Sequence, residues 1–121
     1  MCSSDLRSAR LLHRRDFMRV RESGRRVTAG TVVVNWLEPA SCPPGTGALL
    51  GVITTKALGG AVIRNLARRR MREAFRRLRS SMATPSWVVL IARQSMRDAD
   101  AARVEADIAA GLRKARLLSV G

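Results

Sequence analysis

The 121-residue sequence is poor in the side chains that most often carry enzymatic chemistry: one histidine, two cysteines, nine acidic residues and no tyrosine. His13 stands without a carboxylate or cysteine arrangement nearby in sequence, so neither general-base nor ligand duty is expected of it. Cys2 and Cys42 make no metal-binding pattern, and one disulfide is no framework for a secreted fold, so a reducing, cytoplasmic setting is expected. No stretch approaches the roughly 18 uninterrupted apolar residues of a spanning helix, and no membrane association is expected. A secretory signal is not expected either, because Ser3, Ser4 and Asp5 stand where its apolar core would lie. Met1-Cys2-Ser3-Ser4-Asp5-Leu6 reads like translated adapter sequence, so residues 1–7 are expected to be disordered or non-native. Repeats, heptads and zinc spacings are also missing.

What the chain has in excess is positive charge: 23 Lys and Arg against nine Asp and Glu, net +14, with only Lys56 and Lys114 not arginine. Such a density repels itself unless an anionic partner or solvent screens it, and nucleic acid is the leading candidate. The planar guanidinium suits bidentate phosphate contacts and stacking, although an arginine-biased genome gives the same excess. Position discriminates better than the total. Residues 1–26 net +5, residues 27–63 are neutral, residues 64–79 net +7 and residues 80–121 net +2.

The neutral block predicts strands. Thr31 to Leu37 and Leu49 to Thr55 are rich in β-branched residues, and Pro39 to Gly45 between them is a turn-rich loop. Val27-Thr28-Ala29 adds a short strand before Gly30. From Val62 to Met82 the period becomes helical, with Ala67, Met71, Ala74, Phe75, Leu78 and Met82 on one face. Arg64, Asn65, Arg68, Arg69, Arg72, Arg76 and Arg79 then fall within an arc of about 140° beside that stripe. Trp87 to Ile91 has strand length. Ser95 and Asp98 are spaced as a capping box before a last amphipathic helix, and Asp16 to Glu22 forms an early helix ended by Gly24. The predicted fold is α/β (α+β): a single-domain sandwich of about four strands and three helices, in the order αβββαβα.

The sharpest motif is Lys56 to Arg76, where a strand passes through Gly59-Gly60 into the basic helix. Glycines permit close backbone approach, and a helix N-terminus favours an anion. It is not a Walker A loop, because the lysine precedes the glycines. A merely solvated face would intersperse glutamates at i, i+4, whereas one Glu here meets eight Arg. Trp36 and Trp87 read as core. Phe17 reads as a core residue of the early helix.

The string Ala61-Val62, Arg64-Asn65, Arg68-Arg69, Arg72-Glu73 resembles the signature of the bacterial ribonuclease P protein component, with Arg68 in place of Lys. Upstream, Phe17, Val20 and Gly24 are similar to the family's F-x-x-V-x-x-x-G, and downstream Val88 to Arg93 resembles its final strand; the likeness covers residues 8–116. Two positions depart. Leu66 replaces the third residue of the family's R-N-R triplet, whose RNA contact is then missing or supplied by Arg70, and Arg21 stands where an aromatic is common.

The resemblance implies a protein subunit of ribonuclease P, working with a catalytic RNA subunit that, with Mg²⁺ held by the RNA, removes the 5′ leader of precursor tRNA. It implies that Arg64, Asn65, Arg68, Arg69 and Arg72 bind the catalytic RNA, and that Phe17, Arg21 and Lys56 meet the leader. No catalytic or metal-ligating residue is expected in the chain, and no obligate protein partner. The rival from another class is a structural RNA binder of ribosomal type. A stand-alone nuclease is a third, and the basic region has no carboxylate cluster for two metal ions.

Overall fold

The computed structural model describes residues 14–38, 49–82 and 86–118; His13, the proline-rich loop with Cys42, and the opening residues lie outside them. The helices are α1 (Arg14–Ser23), α2 (Ala61–Arg79) and α3 (Ala101–Lys114), and the strands β1 (Arg25–Ala29), β2 (Val32–Trp36), β3 (Leu49–Ile53) and β4 (Trp87–Ala92), in the predicted order. The sheet runs β1-β2-β4-β3, with β3 and β4 parallel and the other pairs antiparallel. The first strand begins two residues before Val27, the third ends at Ile53, and the basic helix stops at Arg79.

Alternation along the strands sorts side chains between two faces. Val32, Val34 and Trp36 of β2, Leu50 of β3 and Val88, Leu90 and Ala92 of β4 face the larger core. Over them lie Ala67, Met71, Ala74 and Phe75 of α2 and Val104, Ile108 and Leu112 of α3. The predicted stripe is thus buried, with Leu78 and Met82 half-buried at its end. The opposite residues, Trp87 and Val89, join Leu37 to meet Val20 of α1. Both tryptophans are buried.

Helix α1 packs on this second face through Val20. Burial of Val20 contributes about 1.5–3 kcal/mol. The fully buried Asn35 of β2 adds a clip: its Nδ2 donates to the Arg25 carbonyl at 2.7 Å and the Val20 carbonyl at 3.3 Å. Gly24 follows because a Cβ there would collide with the carbonyl oxygens of Val20 and Trp36. Close approach, not a left-handed φ, requires the glycine.

The start of α3 differs from the expected capping box. Ser95 and Asp98 lie in a separate 3-10 turn, Gln94–Asp98, and the cap is Asp100, whose carboxylate accepts from the Arg103 amide at 2.8 Å. Tertiary contact chose among the polar residues there, since the 3-10 turn buries Met96 before α3 begins.

Two turns after its cap, α3 presents Asp107, which clamps the β1–β2 hairpin. Its Oδ2 accepts from the Thr31 hydroxyl at 2.7 Å and the Thr31 amide at 2.9 Å, and Arg103 lies 3.2 Å away. Gly30 has φ +57°, and a Cβ there would fall 2.5 Å from Asp107 Oδ2. Burial raises the Asp107 carboxyl's proton affinity, but the Thr31 hydroxyl and amide, then Arg103, outweigh it and hold the group below the ordinary value of 3.8. A depressed carboxyl stabilises the fold above its unfolded pKa, and that stabilisation is lost as pH falls through the folded value. Asp107→Asn is expected to lower unfolding free energy at pH 7 by about 1 kcal/mol, because the amide keeps one acceptor oxygen for Thr31 but loses the charge that strengthens these part-buried hydrogen bonds. Urea denaturation should show the gap to wild type narrowing below about pH 4, as linkage requires. A gap independent of pH would contradict it.

Candidate nucleic-acid interface

The approach to α2 is built by the short turn Lys56–Leu58, which buries Leu58 and leaves Lys56 exposed. Gly59 has φ +149°, and a Cβ there would press on Ile63 at 2.8 Å. Around Gly60 a Cβ would meet nothing within 4 Å, so the chain itself does not require that glycine. Gly60 is the N-cap of α2, with no side-chain cap and no acidic residue in the first turn. The first amides of a 19-residue helix are therefore left without a capping side chain or a nearby negative charge.

Because the apolar stripe fixes the rotation of α2, its arginines divide between two flanks. On the flank toward α3, Arg70 donates to the Ala99 carbonyl at 2.5 Å and Arg77 pairs with Glu105 at 2.8 Å. Arg70 is thus tied to the turn before α3. Leu66 is 41% exposed and Val62 81% exposed. On the other flank Asn65, Arg69, Arg72 and Arg76 are exposed, and Arg69 lies a loose 3.7 Å from Glu73. Arg64 and Arg68 sit deeper, where this flank meets the sheet. Arg68 donates to Thr54 Oγ1 at 2.7 Å and to Asn65 Oδ1, joining α2 to the end of β3. Arg64 is half-buried, with its Nε buried and without a partner among the described residues.

A second feature lies beside α1. Met18, Arg21, Arg26 and Ile53 line a groove of about 410 Å³ on the face of the sheet that α1 only partly covers. Met18 is 52% exposed, and two of the four lining residues are arginines with no acid among them. Arg21 thus lies in a cleft between the first helix and the sheet. Lys56 is not part of this lining, and Phe17 belongs to α1 one turn before Val20, its side chain lying outside the described residues. Met18 and Arg26 are additions that the sequence reading does not supply. A signal for Arg26 exists, since alternation puts it on the face opposite Val27 and Ala29; Met18 lies off the Phe17, Val20, Arg21 stripe.

The acids of α3 are largely engaged in structure: Asp100 as cap, Glu105 with Arg77, Asp107 on the hairpin. Among the described residues no group of three or more His, Cys, Asp or Glu could hold a metal ion. None of the described helices is long and apolar enough to cross a membrane.

Comparison with known proteins is concordant. The Ribonuclease P family matches residues 6–116. A ribonuclease P protein component of Streptomyces avermitilis is 37% identical over 117 residues, covering 93% of this chain and 94% of that protein. The one from Gluconacetobacter diazotrophicus is 36% identical over 110 residues, covering 90% and 92%. That of Thermus aquaticus is 36% identical over 104 residues, and the chain spans only 58% of its length. Among solved structures, the Staphylococcus aureus RNase P protein superposes with a TM-score of 0.78 at 26% identity, over 92% of this chain and 98% of that one.

The inner and outer arginines of this flank have different structural duties, which stability measurements can separate. Arg68→Ala is expected to cost about 1 kcal/mol by removing the bond to Thr54, whereas Arg69→Ala and Arg72→Ala should stay within about 0.5 kcal/mol of wild type. Thermal or urea unfolding of the three single variants checks this. Equal stabilities would mean that the Arg68–Thr54 bond is not formed in solution.

Proposed function

The chain belongs to the ribonuclease P protein family, and from that premise we propose that it supplies the counter-charge that holds a catalytic RNA and its precursor tRNA together. Two folded RNAs repel, and cations that displace their condensed counterions favour association through the entropy of ion release. Arg69, Arg72 and Asn65 reach solvent for this purpose, with Arg64 and Arg68 at the inner margin of the same ridge and Arg76 extending it. The observation that carries the proposal is this one-sided exposure: an arginine flank open to a partner, on a helix whose neighbouring stripe is fixed in the core.

Within the same proposal the single-stranded leader of precursor tRNA runs through the groove of Met18, Arg21, Arg26 and Ile53. Single-strand channels combine cations for the backbone with flat or apolar surfaces for the bases. Phe17 would add a platform from α1 and Lys56 a cation beyond the mouth. Mg²⁺ would be held by the RNA and supply the activated water there, in the cytoplasm. The described acidic residues, three of them spent on caps and clamps, do not fit a metal pair in this chain. A ribosomal role has only basic charge and a small α/β fold to support it, which the family equally has.

Two tests follow from the two surfaces. Adding the protein to a bacterial RNase P RNA at low Mg²⁺ should accelerate precursor cleavage over RNA alone. The Arg69→Ala, Arg72→Ala variant should bind that RNA more weakly, its log–log salt slope shallower by about 0.7–0.9 for each phosphate that is no longer neutralised. Unchanged affinity and slope would refute the ridge. For the groove, Arg21→Ala with Arg26→Ala should weaken leader-bearing precursor at least about tenfold more than mature tRNA, since the loss of even one charge-assisted hydrogen bond costs about 1.5 kcal/mol. Equal weakening for both ligands would remove the leader from the groove.

A further inference from the structure

The end of the sandwich where β2 finishes and α3 terminates carries a second basic groove, distinct from both surfaces above. It has a volume of about 610 Å³ and is lined by Arg25, Lys114 and Arg116, with Trp36 and Leu117 behind them and Glu38 as the single acid. Glu38 lies 2.9 Å from Arg25, and neither Lys114 nor Arg116 has an ion pair or side-chain hydrogen bond among the described residues. A lysine in the last turn of a helix is explained by the helix dipole. Arg116 is not explained so simply.

Arg116 has φ +63°, the one non-glycine residue with a positive φ among those described. It occupies the position after α3 where the chain reverses: the Ala115 amide bonds the Gly111 carbonyl and the Leu117 amide the Leu112 carbonyl at 2.9 Å. This is the helix-ending motif whose left-handed residue is most often glycine, because a Cβ there crowds the backbone. The fold alone would favour glycine. An exposed arginine held in that conformation at the rim of a cationic groove indicates a use for its charge that lies outside the chain.

We propose that Arg116 and Lys114, with Arg25, form an accessory site for the phosphodiester backbone of the RNase P RNA, engaged at the same time as the α2 ridge. The proposal rests on the family function above and adds a contact surface to it. Charge complementarity selects the occupant: three cations, one acid and a hydrophobic back wall suit a strand of phosphates passing over the groove.

The test uses the full chain and a bacterial RNase P RNA, with affinity measured across a salt series and thermal stability measured in parallel. Arg116→Gly should melt at the wild-type temperature or above, because it relieves the left-handed residue, yet bind several-fold more weakly with a salt slope shallower by about 0.7–0.9. Lys114→Ala should weaken binding in the same direction. Arg97→Ala, which removes an exposed cation from the turn before α3 at the other end of the sheet, should bind as wild type. Equal weakening in Arg97→Ala would reduce the effect to net charge and overturn the site. Unchanged binding in both groove variants, with weakening only on Arg69→Ala, Arg72→Ala, would overturn the groove and leave the ridge standing. If the ridge variant also binds as wild type, the groove and the proposed function fall together.

Discussion

Helix α2 must bury Ala67, Met71, Ala74 and Phe75 while carrying eight arginines against one glutamate, and the sheet decides how it does both. Full burial of a Met or Phe side chain is worth about 1.5–3 kcal/mol each, against about 0.2–0.5 kcal/mol for a surface pair along a helix. The apolar stripe therefore sets the rotation of the helix and the charges take the positions left over. A flank of unneutralised guanidiniums is the consequence, held open because the helix cannot turn to hide it.

The two flanks of α2 are used differently. Toward α3, Arg70 is absorbed by the Ala99 carbonyl of the preceding turn and Arg77 by Glu105 of α3 itself. Away from α3, Arg68 is partly absorbed by Thr54 and Arg64 is half-buried, while Arg69, Arg72 and Arg76 are exposed. The acids that could have neutralised them are gathered on α3 and the turn before it, where Asp100 and Asp107 serve the helix cap and the hairpin. These acids are thus spent on the cap, the hairpin and the α2–α3 contact, which leaves the ridge positive.

Much of this is legible in the sequence because it rests on local periodicity. The helical spacing of Ala67, Met71, Ala74 and Phe75 and the β-branched runs at Val32 and Trp87 set out the elements in order, and the charge blocks locate the ridge. What escapes depends on which residues meet across the fold. Sequence spacing makes Ser95 and Asp98 a cap, but the 3-10 turn that buries Met96 moves the start of α3 to Asp100. The helical wheel separates Arg72 from Arg70, but only the fold brings up the Ala99 carbonyl that makes Arg70 a structural anchor. The groove of Met18, Arg21, Arg26 and Ile53 joins α1, β1 and β3, elements brought together only by the sheet, so no local pattern announces it. The left-handed Arg116 contradicts local preference outright.

The most direct measurement maps where the ridge lies in the assembled complex. In a background with Cys2 and Cys42 replaced, a tethered hydroxyl-radical source is placed on a cysteine introduced at position 72 of α2 and, separately, at position 98 beside α3. If the arginine flank is the counter-charge for RNA, the source at position 72 cuts the RNase P RNA at a compact set of nucleotides and the source at position 98 leaves them intact. Equal cutting from both positions, or none from position 72, would contradict the account.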